Sequence, residues 1–337
     1  MASLHCLNHG DILFDIHAKL HFNHLNAHDS GKSGFVFDTT WVDKQFSYAR
    51  HDEYSNSFTR KTKINLRPPV EDCYILGSSN ALICLNARDT HGPAYICNPI
   101  TREYIMLPLS QGKEILTEFG YSPSTNEYKV VRIYKGIGEV FTLGSGIGCR
   151  NVGKVNDVPV WFENRGALVD GVIHWMDKKG TIFSFDLADE KFHELPSLPS
   201  RAGWIPCIII SLHVLGDFLC AFYYSGKSWE IWSRKKNKNH QHVFWSEVFS
   251  YVNDTNIQLI IFKKSGGLLW YDKNVYRHAR EASSPRMLVT SGENVTFFGF
   301  PHKNTFVSLK DVVEENTKLV DLGERVKSNR QTESIDR

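Results

Sequence analysis

Residues Phe183–Pro196 read FSFDLADEKFHELP, and residues Tyr95–Pro108 read YICNPITREYIMLP. Each phrase is an aromatic strand, an Asn or Asp, a short polar turn, another aromatic, then Leu-Pro. They lie 88 residues apart. Taking the end of each aromatic strand as a marker turns this likeness into a period. Asn98 follows YIC, Thr142 follows EVF, Asp186 follows FSF, Ser233 follows EIW and Asp272 follows LWY. The successive intervals are 44, 44, 47 and 39 residues. Asp38 after FVF reads as an earlier copy, and FVSL around Ser308 as a later, degenerate one.

A period near 44 residues, holding three or four short strands and their turns, matches one blade of a β-propeller. The turn chemistry repeats with it. The Pro of NPITRE presets φ, and the first Asp of DLADEK caps its own backbone. The alternation in Tyr95–Asn98 and Phe183–Asp186 predicts outer strands with one wetted face. The stretches Ala81-Leu-Ile-Cys-Leu and Gly171-Val-Ile-His-Trp read as inner strands. No 3.6-residue periodicity persists for three turns between Cys73 and Leu309. The expectation is an all-β propeller of six blades, with seven as the alternative. Unrelated hairpins of a β-sandwich or of stacked barrels form the competing arrangement. Ring closure removes exposed strand edges and calls for a strand from one terminus to complete a blade built by the other. FVFD and FVSL are the candidates for that clasp.

The chain has 337 residues, 12% of them aromatic, with eight Trp. Runs such as CAFYYSGKSWEIW suit a pleated surface. A net charge of +2 supplies no field to recruit nucleic acid or an anionic membrane. The basic run SRKKNKNHQH from Ser233 reads as a solvated hairpin loop. MASLHCLNHGDILFDIHAKL lacks an apolar core for a signal peptide, and no apolar run reaches membrane-spanning length. Seven cysteines without a C-x-x-C, among them Cys84, Cys97 and Cys220 in apolar runs, indicate buried thiols and a reducing compartment, cytosol or nucleus.

Further along, GSSNALICLNARDTHGPAYICNPITREYIMLP resembles the opening of the plant F-box-associated domain. FGYSPSTNEYKVVRIY (Phe119 to Tyr134) is similar to that family's most recognisable phrase. ALVDGVIHWM with FSFDLADEKFHELPSLP, LHVLGDFLCAFYYSGKSWEIWSRKK with FWSEVF, and IFKKSGGLLWYDKNVYRHARE follow in the family's order, from about Gly77 to about Glu281. The resemblance implies a kelch-like, F-box-associated β-propeller. It also implies the target-selecting half of an SCF-type ubiquitin ligase receptor, whose helical F-box grips a Skp-type adaptor on a cullin. Residues 1–70 show no F-box and read as a linker with a first degenerate blade. Residues 71–310 form the propeller, and 311–337 are a charged tail, helical or disordered, outside the ring. Within that tail VVEENTKLVDL could dock on a partner. Two further departures stand out. Cys149-Arg150 replaces a Trp-Arg pair, which predicts a lost aromatic plug and a loosened blade. Asn80-Ala81 replaces Asn-Gly.

Residues suited to chemistry are few. His5, His9, His17, His21, His24 and His28 include three i, i+4 pairs, but Asn, Asp and Gly interrupt any helix, and no H-E-x-x-H occurs. GKS at Gly31 and at Gly226 lacks the earlier glycine of a phosphate loop and reads as a turn. GIGEVFTLGSGIG reads as loop glycines flanking a strand. His174-Trp175 with Asp186 lacks an activated nucleophile, and a His hydrogen-bonded inside its own blade is the simpler reading. No catalytic, metal or cofactor residue is assigned. The chain is read as a non-enzymatic module that binds a target protein through loops at one face of the ring, with Tyr134–Gly138, Arg201–Trp204 and Lys235–His242 as loop candidates. The alternatives are a propeller that binds its target without recruiting a ligase, and a propeller enzyme such as a glycosidase.

Overall fold

The computed structural model describes residues 33–38, 46–52, 57–64, 73–87, 94–108, 116–155, 165–177, 181–196, 209–215, 218–224, 228–236, 243–252, 258–262, 268–271, 274–278, 286–290, 298–310 and 318–321. The six N-terminal histidines, Arg201–Trp204, residues 237–242 and much of the charged tail lie outside these.

The regular elements among the described residues are strands, arranged in six antiparallel sheets. The first sheet holds β1 (Ser33–Asp38), β2 (Phe46–Asp52) and β3 (Ser57–Ile64), and its inner strand is β24 (Phe298–Lys303). The second runs from β4 (Cys73–Ser79) through β5 (Leu82–Ala87) and β6 (Tyr95–Asn98) to β7 (Glu103–Met106), with β25 (Lys318–Asp321) added outside. The third is β8 (Leu116–Ser122), β9 (Glu127–Tyr134), β10 (Ile137–Thr142) and β11 (Cys149–Lys154). The fourth is β12 (Ala167–Val169), β13 (Val172–Met176), β14 (Ile182–Asp186) and β15 (Lys191–Leu195). The fifth is β16 (Ile209–Leu215), β17 (Phe218–Tyr224), β18 (Ser228–Lys236) and β19 (Val243–Val252). The sixth is β20 (Gln258–Phe262), β21 (Leu268–Tyr271), β22 (Asn274–His278) and β23 (Arg286–Thr290).

Contacts between sheets close a ring. β24 packs on β4, β4 on β8, β8 on the fourth sheet through β13, β12 on β16, β16 on β20, and β20 on β24 again. The molecule is an all-β propeller. The clasp is half as expected: β1 carries the FVFD copy, but its partner is β24, paired from Ser33↔Lys303 to Asp38↔Phe298, and not FVSL.

The core lies between the sheets. Alternate residues of the second sheet serve two different interfaces. Ile83, Leu85, Tyr95 and Cys97 join Val36 and Tyr48 of the first sheet. Leu82, Cys84 and Ile96 join Phe119, Val130 and Phe141 of the third. Side chains of period two thus reach apolar surroundings on both faces, which is why this sheet reads as nearly continuous hydrophobic sequence. Each buried Ile or Leu contributes about 1.5–3 kcal/mol. The expected wetted face of Tyr95–Asn98 is therefore absent, since all four residues are buried. These strands are third from the inside of their sheets, and β7 and β15 stand outside them.

The opening likeness has a structural cause. In NPITRE the amide of Arg102 donates to the Asn98 carbonyl at 2.8 Å, and Arg102 sits at φ +61°. In DLADEK the amide of Glu190 donates to the Asp186 carbonyl at 2.9 Å, with Glu190 at φ +57°. The two phrases are one turn, used twice. The short 39-residue interval also resolves: the LWY strand β21 is second in its sheet, whereas the other four markers sit on third strands.

Within the tail, Lys318–Asp321 is a strand, in place of the expected helix or disorder. Lys318–Asp321 pairs with β7, from Lys318↔Met106 to Asp321↔Glu103. The KLVD segment therefore docks on its own chain.

Candidate protein-binding surface

In the second to sixth sheets the connections from first to second strand and from third to fourth emerge at one face of the ring, here the front, where in the first sheet β24 ends and β1 begins. Those from second to third emerge at the back. The front turns are tightly built. Asn80 and Ala81 (φ +41° and +73°) turn β4 into β5, and Asp170 and Gly171 (φ +51° and +78°) turn β12 into β13. Both are two-residue turns with left-handed central residues, the type whose twist matches the strands. Ala81 is the residue that bears a Cβ where Gly is favoured. Between β10 and β11, Gly144, Gly146 and Gly148 all have positive φ, and the Ser145 hydroxyl donates to the Thr142 carbonyl at 3.0 Å. This turn is the second half of GIGEVFTLGSGIG, and it presents Ile147, 70% exposed.

After β24 the chain crosses the front of the second sheet as a strap. Asn98 Oδ1 accepts the Ile100 amide at 2.9 Å, while its Nδ2 donates to the carbonyls of Thr305 (3.1 Å) and Val307 (2.7 Å). Buried Glu103 accepts the Leu309 amide at 2.7 Å and the Ser308 hydroxyl at 3.1 Å. Leu309 is fully buried, which explains the FVSL likeness, yet Phe306 projects outward at 55% exposure. On the fifth sheet, Val214 and Phe218 are exposed beside the turn from β16 to β17. Ile147, Val214, Phe218, Phe306 and Val307 thus share the front face.

A charged seam joins the third and fourth sheets there. Buried Lys129 meets Glu190 at 2.7 Å, Glu127 at 2.9 Å and the Leu187 carbonyl at 2.6 Å. Arg150 pairs with Glu190 as well. Its hydrogen bond with Lys129 holds the Glu127 carboxyl below its usual range. Burial pushes Glu190 up, but Lys129 and Arg150 outweigh it, and the net effect is downward. The Lys129 ammonium thus ties β9 to the turn after β14 through Glu190 and the Leu187 carbonyl. Cys149 is exposed on the outer strand β11, so the expected lost plug and loosened blade do not follow from its replacing Trp.

Deeper in the ring, Glu118 accepts the Gly166 amide at 2.5 Å, and burial raises its carboxyl to about 7. His174 Nδ1 donates to the Ala167 carbonyl at 3.2 Å inside its own sheet. His174 lies opposite Ser184, whereas Asp186 caps the next turn by accepting the Ala188 amide, so the two form no catalytic set. The serines of both GKS copies open strands, at Ser33 and Ser228. Among the described residues no cluster of His, Cys, Asp or Glu could hold a metal, and no helix is long and apolar enough to cross a membrane. Of the loop candidates, Tyr134–Gly138 forms a back-face turn, Lys235 and Lys236 stand at the front end of β18, and Arg201–Trp204 falls outside the described residues. The exposed apolar residues of the front face had no signal in sequence, because an Ile in a Gly-Ser turn or a Phe beside a strand reads equally well as core.

Comparison with known proteins agrees with this architecture. Residues 32–271 match the family model of the F-box associated beta propeller domain. The chain is 29% identical over 220 residues to F-box protein At3g07870 of Arabidopsis thaliana, covering 52% of this chain and 51% of that one. It is 27% identical over 169 residues to putative F-box protein At3g52320 of Arabidopsis thaliana, covering 44% and 42%. The chain thus spans about half the length of the curated relatives it matches. Among solved structures, TolB from Acinetobacter baumannii aligns with a TM-score of 0.48 at 11% identity, over 82% of this chain and 67% of that one. With the repeat, the closed ring and a family match across 240 of 337 residues, the chain belongs to the F-box associated β-propeller family.

Proposed function

We propose that this propeller binds a target protein on its front face, as the non-enzymatic, target-selecting half of a ubiquitin ligase receptor working in the cytosol or nucleus. The observation that carries the reading is the set of exposed apolar side chains at one face, Ile147 on a hydrogen-bonded turn, Phe218 at the start of β17, and Phe306 and Val307 on a clamped strap. Preorganised, exposed aromatic and aliphatic groups lose little entropy on binding and make good anchors. β1, β2 and β3 belong to the first sheet, so any helical grip on a Skp-type adaptor lies outside these strands.

The test is affinity purification of the chain from its native cells, alone and with Ile147→Ser and Phe306→Ser together. Recovery of a protein that the double variant loses at least tenfold supports front-face recognition. Co-recovery of adaptor and cullin ties it to a ligase, whereas their absence favours the reading of a target binder without ligase recruitment. A partner that the double variant retains undiminished removes the front-face assignment.

A further inference from the structure

The outer edges of the sheets are not alike. That of the second sheet is covered by β25, a strand added from the same chain's tail. That of the fifth sheet is β19, ten residues long and without proline, where the outer strands β3, β11, β15 and β23 have eight, six, five and five. No further strand covers β19 among the described residues. Its register with β18 runs regularly from Lys236↔Val243 to Trp232↔Glu247 and then slips, so that Val248 stands opposite no residue. The regular part, Val243–Glu247, begins at the front face. Phe244 is 47% exposed there, near Val214 and Phe218 of the same sheet end.

This length of edge also has a charge pattern. The register sets Arg234, Lys235 and Lys236 across from Trp245, Phe244 and Val243, while Glu247 marks the far end. An uncovered edge is a template for an incoming strand, whose main chain supplies affinity and whose side chains supply choice. A cationic end selects acidic residues.

Resting on the target-binding reading above, we infer that β19 receives an extended acidic segment of the target, added as a fifth strand along Val243–Glu247 with its carboxylates on the sheet face that Lys235 and Phe244 share. The front face anchors the target's folded surface, and the segment passes over the rim of the fifth sheet. The arrangement repeats in trans what β25 does to β7 in cis.

The probe is a fluorescent ten-residue peptide alternating Glu and Val, titrated into the full chain, with a Lys–Val peptide as control. The expected results are binding of the acidic peptide alone, weakening of about tenfold in Lys235→Glu, and a similar loss in Phe244→Glu. Raising the salt weakens it further. Amide exchange slows in β19. Equal binding of the Lys–Val peptide, indifference to both variants, or protection confined to other strands overturns the inference. Ile147→Ser with Phe306→Ser leaves peptide affinity unchanged. Failure of the peptide with intact front-face capture of a target removes strand addition alone. Peptide binding at β19 without any front-face target removes the other reading alone.

Discussion

Asn98 and Val307 stand 209 residues apart in the chain and 2.7 Å apart in the fold, the Asn98 Nδ2 donating to the Val307 carbonyl. Asp186 occupies the same place in the repeated turn but only accepts, from the amides of Ala188 and Asp189. The difference between Asn and Asp at these matched positions follows from the strap: where carbonyls arrive from outside, the side chain must donate as well as accept.

Asn98→Asp is therefore expected to destabilise the protein by about 2–3 kcal/mol, because a fully buried carboxylate would face two carbonyl oxygens. Asp186→Asn, as the control, is expected to stay within about 0.5 kcal/mol. Urea denaturation of both variants checks the pair, and equal losses would remove the donor argument.

Gly34 lies in the clasp, paired with His302 on one side and Arg50 on the other. A Cβ there would press onto the Ala49 carbonyl and the buried Tyr48 ring. Gly34→Ala is expected to cost about 1–3 kcal/mol and to speed amide exchange in β24 more than in β13. Uniform acceleration across the ring would contradict a local clasp effect.

Ala81 pays for its left-handed φ of +73° with a Cβ that the matching turns, Lys135-Gly136 and Asp170-Gly171, avoid. Ala81→Gly is expected to raise stability by about 0.5–1 kcal/mol, read as a higher thermal midpoint. A lower midpoint would mean that burial of the methyl group outweighs the strain.

His174 and His302 are buried, and that burial holds both near 4, below the ordinary 6.5. Both are neutral in the fold. Their stabilisation is complete above pH 6.5 and is lost as pH falls toward 4, since the unfolded chain takes up the protons first. Glu118 acts in the opposite sense: its folded value of about 7 exceeds the ordinary 4.5, so stability is lost as pH rises between those values. Denaturation across pH 4–8 is expected to show acid loss that His302→Gln reduces. Glu118→Gln is expected to flatten the alkaline side. An unchanged profile in either variant would exclude that residue's part.

What was legible in sequence follows from where physics acts locally. Turn residues must adopt special φ values or cap their own backbone, so Asn98-Pro99 and Asp186-Leu187 announce themselves, and the period with them. Strand rank within a sheet is not local. The aromatic LWY and FVF strands are second strands and the others third, which nothing in their own residues reveals. FVSL carries a strand-like pattern because Leu309 is buried and Phe306 is not, although the segment pairs with no strand and hangs from Asn98 and Glu103. The exposed front-face residues are legible only once the turns are assigned to a side of the ring.

The clasp also has a consequence for synthesis. The inner strand of the first sheet, Phe298–Lys303, follows the end of β3 at Ile64 by more than two hundred residues. On a ribosome adding about 5–20 residues per second, the edge of β1 that awaits β24 stays open for on the order of tens of seconds. Four sheets and four strands of the second can assemble in that interval, but none of them can lock the circle. A nascent chain halted before Phe298 would thus display an unpaired edge to chaperones and proteases.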